Sequence, residues 1–435
     1  MRYSPLNNSL FSDNRKRFVG LIPGQAMAVF LSAENMPRNG DQCFPFRQQS
    51  DFFYLTGIEQ ENTALILFPD CPNPSWREVL FISAFDAHKA TWEGHKLSPD
   101  EAQQLSGISQ VTTIDQFNAV LQEVMNYATQ VFLNNTEYIK YSADIEHKNL
   151  RFARQLKEKY PLHQFQRAAP LLEKLRVVKS AAEIELLKTA SDITGKAFGR
   201  LLRSSLIGKF EFEVQADIEH EFTINRANGN GYYPIIAGGG NACVLHYNDN
   251  DKQLHAGDLL LLDFGAEYAN YSADLSRTIP VNGRFTDRQK QCYEAVLKVF
   301  KAAIQLYVPG NTIEQINNEV WKMMETEMIS LGLFTREEVR DQNPESPLYK
   351  RYLMHGVAHH IGLDVHDVGS KYEPLAAGMV LTCEPGLYIR EENIGIRIEN
   401  DILVTDHGPV DLMAEIPVEV SDIESIMSRN LSNIH

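Results

Sequence analysis

The chain contains no apolar run approaching the ~20 residues that a membrane-spanning helix requires, so no membrane span is expected. Its opening residues, Met1-Arg-Tyr-Ser-Pro-Leu-Asn-Asn-Ser, lack the apolar core of a signal peptide, which predicts a cytoplasmic protein. Cysteine is scarce, with five in 435 residues, and Cys43, Cys71, Cys243, Cys292 and Cys383 are scattered without metal-finger spacing. That pattern fits free thiols in a reducing compartment better than a disulfide frame. Basic residues are outnumbered, 41 against 57 acidic ones, for a net charge of −16. Such a charge disfavours nucleic acid and anionic membrane surfaces as partners, but it accommodates cations. Short-period repeats and low-complexity segments are also missing.

The 43% hydrophobic and 23% charged fractions are those of an ordinary globular protein. At 435 residues the chain exceeds a single core, and two domains are expected, 1–170 and 171–435. In the first, apolar runs at 26–31, 63–68, 79–82 and 131–133 predict strands. Between them, Ser98-Pro-Asp-Glu101 forms a capping box at a helix start, and 116–127 predicts a further helix. The alternation predicts an α/β domain with a mixed sheet. Residues 171–179 are charged and hold no apolar strand, which sets the boundary.

The second half changes texture. A capping box at Ser180-Ala-Ala-Glu183 opens a helix over 181–203, with others expected at 211–228 and 286–307. Strands arrive in pairs. Residues 258–264 and 268–278, joined by Gly-Ala-Glu, predict an antiparallel hairpin, and 379–382, 386–389 and 394–404 add further strands. Paired strands with segregated helices predict an α+β domain with an antiparallel sheet.

The chemistry gathers in this half. Residues 355–369 hold His355, His359, His360 and His366, four of the thirteen histidines, and histidine serves both as metal ligand and as proton carrier near neutral pH. Asp263 ends the apolar run Leu259-Leu-Leu-Leu262, and Asp274 falls where the return strand should lie beside it. Two facing carboxylates repel and need a neutralising partner. Glu384 follows another apolar strand, and Glu399 shares a strand face with Arg397, opposite Ile396 and Ile398. Taken singly, each acid reads as an ordinary turn or surface residue. Two Asp, two Glu and a histidine cluster at strand ends together suit a pair of hard divalent cations, manganese or magnesium before a thiolate-type zinc site, with cobalt, iron and zinc still open. Two such ions about 3.5 Å apart would share a hydroxide and assist hydrolysis.

These residues, in the contexts Leu-Asp-Phe-Gly-Ala, Ala-Asp-Leu-Ser-Arg-Thr, His-Gly-Val-Ala-His, Glu-Pro-Gly-Leu-Tyr and Gly-Ile-Arg-Ile-Glu, resemble the dimetal peptidases of the pita-bread fold. The subgroup resembled is Xaa-Pro aminopeptidase (aminopeptidase P) with its relative prolidase. Phe46-Arg-Gln-Gln-Ser-Asp-Phe-Phe-Tyr-Leu-Thr-Gly57 is similar to the signature of that family's N-terminal domain, and Gly239-Gly-Asn-Ala-Cys-Val-Leu-His-Tyr247 to its substrate loop. The resemblance implies a creatinase-like α/β N-terminal domain and a catalytic domain with a curved antiparallel sheet. It implies two divalent ions, manganese first, with Asp263, Asp274, His359, Glu384 and Glu399 as ligands, Asp274 and Glu399 bridging. It further implies Glu384 as proton shuttle, His246, His355 and His366 as substrate-handling groups, and Arg397 with Tyr388 as a hydrogen-bonding pair beside the site. Trp92 is similar to an aromatic presented to a neighbouring subunit, and a homodimer or homotetramer is implied. The sequence departs from the family at His360, where an aromatic is common, and at Asn400, where an acid is common.

The implied activity is removal of the N-terminal residue from peptides with proline second, through a hydroxide shared by the two ions. The alternative is a prolidase confined to Xaa-Pro dipeptides, which would use the same ligands. A catalytically dead binding protein on this scaffold would be expected to have lost ligands, and a creatine amidinohydrolase lacks them; here all five are present.

Overall fold

Strand Ala26–Leu31, buried along its whole length, is an inner strand of a six-stranded mixed sheet in the computed structural model, which describes residues 2–138 and 145–431. It pairs antiparallel with Ala64–Leu67 and parallel with Gln130–Leu133. Glu78–Ile82, Gln110–Thr113 and Gln164–Arg167 extend the sheet. Continuous apolar runs suit strands covered on both faces. The capping box at Ser98 forms as expected, and the helix expected over 116–127 runs Phe117–Met125 behind a 3₁₀ turn at Ile114–Gln116.

The compact units divide between Arg176 and Val177, somewhat beyond the expected 170. The reason is helix Ala169–Arg176 in the charged segment. Its Leu172 and Leu175 are buried, and Arg176 forms a buried ion pair with Asp51 at 2.7 Å, which ties the helix to the first unit.

In the second unit the capped helix Ala181–Leu202 packs with Glu211–Ile224 beside antiparallel strands. Every strand pairing described in this unit is antiparallel. Leu259–Phe264 pairs with Ile235–Gly238 on one side and with Leu275–Pro280 on the other, aligning Asp263 with Ser276. The expected hairpin is thus more elaborate. Between its strands the chain leaves the sheet: Ala266–Tyr268 pairs with Tyr271–Ser272 and Gly229–Asn230 in a small sheet of its own. Ala269 and Asn270 at φ of 51° and 65° make its two-residue turn, a left-handed geometry suited to tight hairpins. Gly265 allows the departure, since a Cβ there would stand 1.7 Å from the Ala273 carbonyl oxygen.

The strand expected over 394–404 is two strands. Ile394–Arg397 pairs with Gly386–Ile389, whereas Asn400–Leu403 pairs with Val380–Cys383. The chain crosses between sheets at Ile398 and Glu399, whose backbone N–H groups donate to the carbonyls of Pro385 (3.3 Å) and Ser276 (3.1 Å). Helix Ile313–Ser330, opened by a Thr312–Gln315 capping box, adds an element the strand and helix expectations omit. Among the described residues no helix is long and apolar enough to cross a membrane. Cys43 is exposed, and the other four cysteines are buried and free.

Candidate active site

Asp263 is delivered by the apolar strand Leu259–Phe264, and Asp274 sits just before the return strand Leu275–Pro280. The two carboxylates meet at one hydroxyl: Tyr232 Oη lies 2.6 Å from Asp263 Oδ1 and 2.5 Å from Asp274 Oδ1. A phenol has one proton and can serve only one of these oxygens at a time. Tyr232 is absent from the expected site. Nothing in Gly231-Tyr-Tyr-Pro234 marks it, because its role exists only through contacts with residues far along the chain.

His359 comes from the 355–369 stretch. Its Nδ1 lies 3.0 Å from the His360 carbonyl oxygen, which can only accept, so Nδ1 carries the proton and Nε2 presents a lone pair. That Nε2 faces Asp274 Oδ2 at 3.5 Å and Glu384 Oε1 at 3.8 Å. Asp274, His359 and Glu399 each offer a ligand atom, all within 4.8 Å of one another. Glu399 Oε2 accepts from Ser276 Oγ at 2.7 Å and is almost fully buried. The five residues expected as ligands therefore share one cluster.

Arg397 reaches the same cluster. Its Nη2 donates to Asp263 Oδ2 (2.5 Å), Nε to Ser276 Oγ (2.8 Å) and Nη1 to Tyr388 Oη (2.8 Å). Tyr388 Oη in turn lies 2.8 Å from His355 Nε2, while His355 Nδ1 lies 2.7 Å from the Gly356 carbonyl oxygen. Both His355 nitrogens are thus engaged: Nδ1 donates to Gly356, and Nε2 accepts from Tyr388. Burial first, then the Arg397 charge, pushes the His355 pKa down to about 4, so the ring is neutral. Tyr388 is fully buried behind it and acts in this arrangement as a link between Arg397 and His355. His366 packs edge-on against His359, ring centroids 4.3 Å apart, and the buried ion pair Lys179–Asp367 (3.2 Å) anchors the adjoining backbone. His246 is exposed on its loop. His360 turns away and is buried, its pKa pushed down to about 3 by burial and then by Lys179.

Burial first, and then neighbouring carboxylates, raise the pKa values of Asp274 and Glu399 well above the ordinary range. For Asp274 the neighbours are Asp263 and Asp401, and for Glu399 they are Asp274 and Glu384. Asp401, also fully buried and raised by burial, accepts from the Asp274 backbone N–H at 3.2 Å. A cluster of acids around an imidazole lone pair needs protons or cations, and oxygen-rich donors with one nitrogen fit hard divalent ions. Asp263, Asp274, His359, Glu384 and Glu399 would hold them. Since protons and metal compete for the same oxygens, loading metal-free protein at neutral pH should release protons. Calorimetry in buffers of different ionisation enthalpy reads that release, and equal heats in all buffers would contradict the raised carboxyl pKa values.

A model of metallopeptidase family M24 matches residues 185–406, and one for the aminopeptidase P N-terminal domain matches 11–132. The chain belongs to metallopeptidase family M24, a family of hydrolases that work with divalent metal ions. Among its relatives, the Xaa-Pro aminopeptidase of Haemophilus influenzae is 36% identical over 431 residues, covering 96% of this chain and 97% of that one. The Escherichia coli Xaa-Pro aminopeptidase is 33% identical over 443 residues, 98% of each chain. The solved structure of E. coli aminopeptidase P with the inhibitor Pro-Leu superposes at a TM-score of 0.87 with 31% identity, covering 99% of this chain and 100% of that one. The fold is accordingly the pita-bread fold behind an aminopeptidase P N-terminal domain.

Proposed function

We propose that this protein is an aminopeptidase that removes the first residue of peptides whose second residue is proline. The observation carrying this reading is the joint cluster of Asp263, Asp274, His359, Glu384 and Glu399, with a relative named Xaa-Pro aminopeptidase matching 96% of the chain. Two divalent ions, manganese before cobalt, iron or zinc on the oxygen-rich donor set, would supply Lewis acidity and acidify a water molecule.

The chain's own side chains do the rest. Glu384, partly exposed at the cluster, takes a proton from the attacking water and returns it to the ring nitrogen of the departing proline. His366 and His246 face the substrate, and a neutral imidazole donating to the scissile carbonyl oxygen stabilises the developing negative charge, worth about 3 kcal/mol. His355 lines the site as a fixed neutral ring, held by Gly356 and by Tyr388, which Arg397 locks in turn. Proline's amide nitrogen carries no hydrogen, so the pocket must select by shape and ring packing.

We assign the protein to the cytoplasm, where free buried thiols at Cys71, Cys243, Cys292 and Cys383 suit a reducing medium. We also assign it a homo-oligomeric state, with the exposed Trp92 as a candidate subunit contact. The test of specificity compares an Xaa-Pro-Xaa tripeptide with an Xaa-Pro dipeptide under manganese. Tripeptide turnover is the expected result; turnover confined to dipeptides would assign the site to a prolidase instead.

A further inference from the structure

We propose that Glu211, in the second unit but outside the acid cluster, is a positioning residue that holds the His246 loop in register for substrate. The proposal rests on the reading of His246 as a substrate-facing group. Glu211 is fully buried at the start of helix Glu211–Ile224, and its carboxylate gathers four donors. Oε1 accepts from the Gly238 N–H (2.8 Å) and Asn241 Nδ2 (3.2 Å). Oε2 accepts from Tyr247 Oη (2.8 Å) and the Lys252 N–H (2.9 Å). Those four donors bracket the loop that carries His246, two before it and two after.

The remaining anchors leave the segment around His246 dependent on this clamp. On its leading side, a Cβ at Gly240 would lie 2.7 Å from Asn393 Oδ1, and Cys243 Sγ contacts the Ile394 carbonyl oxygen at 3.4 Å. On its trailing side, Asn250 bonds the Ile236 N–H (3.0 Å) and the Pro234 carbonyl (2.9 Å). Between them Val244, His246 and Asn248 are exposed; of the two neighbours of His246, Leu245 is half-buried against the core and Tyr247, tied to Glu211, is buried.

The chemistry requires a carboxylate rather than an amide. Gly238 and Lys252 donate from backbone N–H groups, which cannot act as acceptors, and they sit on opposite oxygens. In Glu211→Gln, either orientation of the amide sets its NH₂ against one of these donors. The near-isosteric change should therefore loosen one end of the loop and leave the acid cluster intact.

Glu211→Gln is expected to raise KM for an Xaa-Pro-Xaa peptide about ten-fold and to change kcat less than about three-fold, with metal content unaltered. In a His246→Ala background it should add nothing further, because both changes act through one side chain. Hydrogen exchange of residues 238–252 should accelerate. Should Glu211→Gln fail to fold, Tyr247→Phe removes a single donor and should move KM in the same direction by less. Unchanged KM and exchange, or effects that multiply fully with His246→Ala, would overturn the proposal. Absence of Xaa-Pro-Xaa cleavage by the unmodified protein would refute the activity reading instead, and the exchange comparison would still decide whether Glu211 clamps the loop.

Discussion

Replacing Asp274 or Glu399 with Ala should reduce peptide turnover by about a thousand-fold or more and lower the bound metal content. Both acids belong to the set whose ligand atoms converge with His359 within 4.8 Å. The loss should not come from unfolding. In metal-free protein the Asp274 carboxyl is buried and its pKa raised by burial and by Asp263 and Asp401. A carboxyl raised in the folded state contributes fully below its unfolded pKa, and that contribution is lost as pH rises through the folded value. Metal-free protein should therefore lose stability with rising pH, and Asp274→Ala should lose less of it. Melting curves of the two metal-free proteins across pH read this directly, alongside metal analysis and turnover. Turnover and metal retained in either variant would remove these residues from the centre of the account.

Glu384→Gln should be the next most damaging change, with turnover falling about a hundred-fold to ten-thousand-fold, the range of general acid–base catalysis. The side chain stands 3.7 Å from His355 Nδ1 and 3.8 Å from His359 Nε2, partly open to the site. Glutamine preserves its volume but cannot take up a proton at that oxygen. Peptide binding, measured as an inhibition constant for a product-like dipeptide, should change far less than kcat. A variant that keeps turnover within ten-fold with its metals bound would assign proton transfer to another group.

Asp263 ends and Glu384 follows an apolar strand, short contexts that read on their own, whereas Asp274, His359 and Glu399 are read through the wider motifs Ala-Asp-Leu-Ser-Arg-Thr, His-Gly-Val-Ala-His and Gly-Ile-Arg-Ile-Glu. The mixed sheet is legible for a related reason: inner strands read as continuous apolar runs whatever they pair with. What escapes is whatever depends on distance along the chain. Tyr232 bridges Asp263 and Asp274 across a separation no local pattern records. Glu211 looks like an ordinary first-turn acid of a helix, and only the fold reveals that its carboxylate faces inward onto a loop. The break at Ile398 and Glu399 is hidden because apolar residues recur at even positions on both sides of it, Ile394, Ile396 and Ile398 before and Ile402 and Val404 after, with no glycine or proline between Ile396 and Val404 to mark the change of sheet. The domain boundary slips for the opposite reason: a helix with charged flanks resembles a linker until Leu172 and Leu175 are seen buried.

The most direct test incubates the protein with an Xaa-Pro-Xaa peptide, with manganese and with chelator, and follows the products by mass spectrometry. The account predicts loss of the first residue alone when metal is present, no cleavage after chelation, and no cleavage of the matched peptide with alanine in place of proline. Cleavage that persists without metal, or that ignores proline, would contradict it.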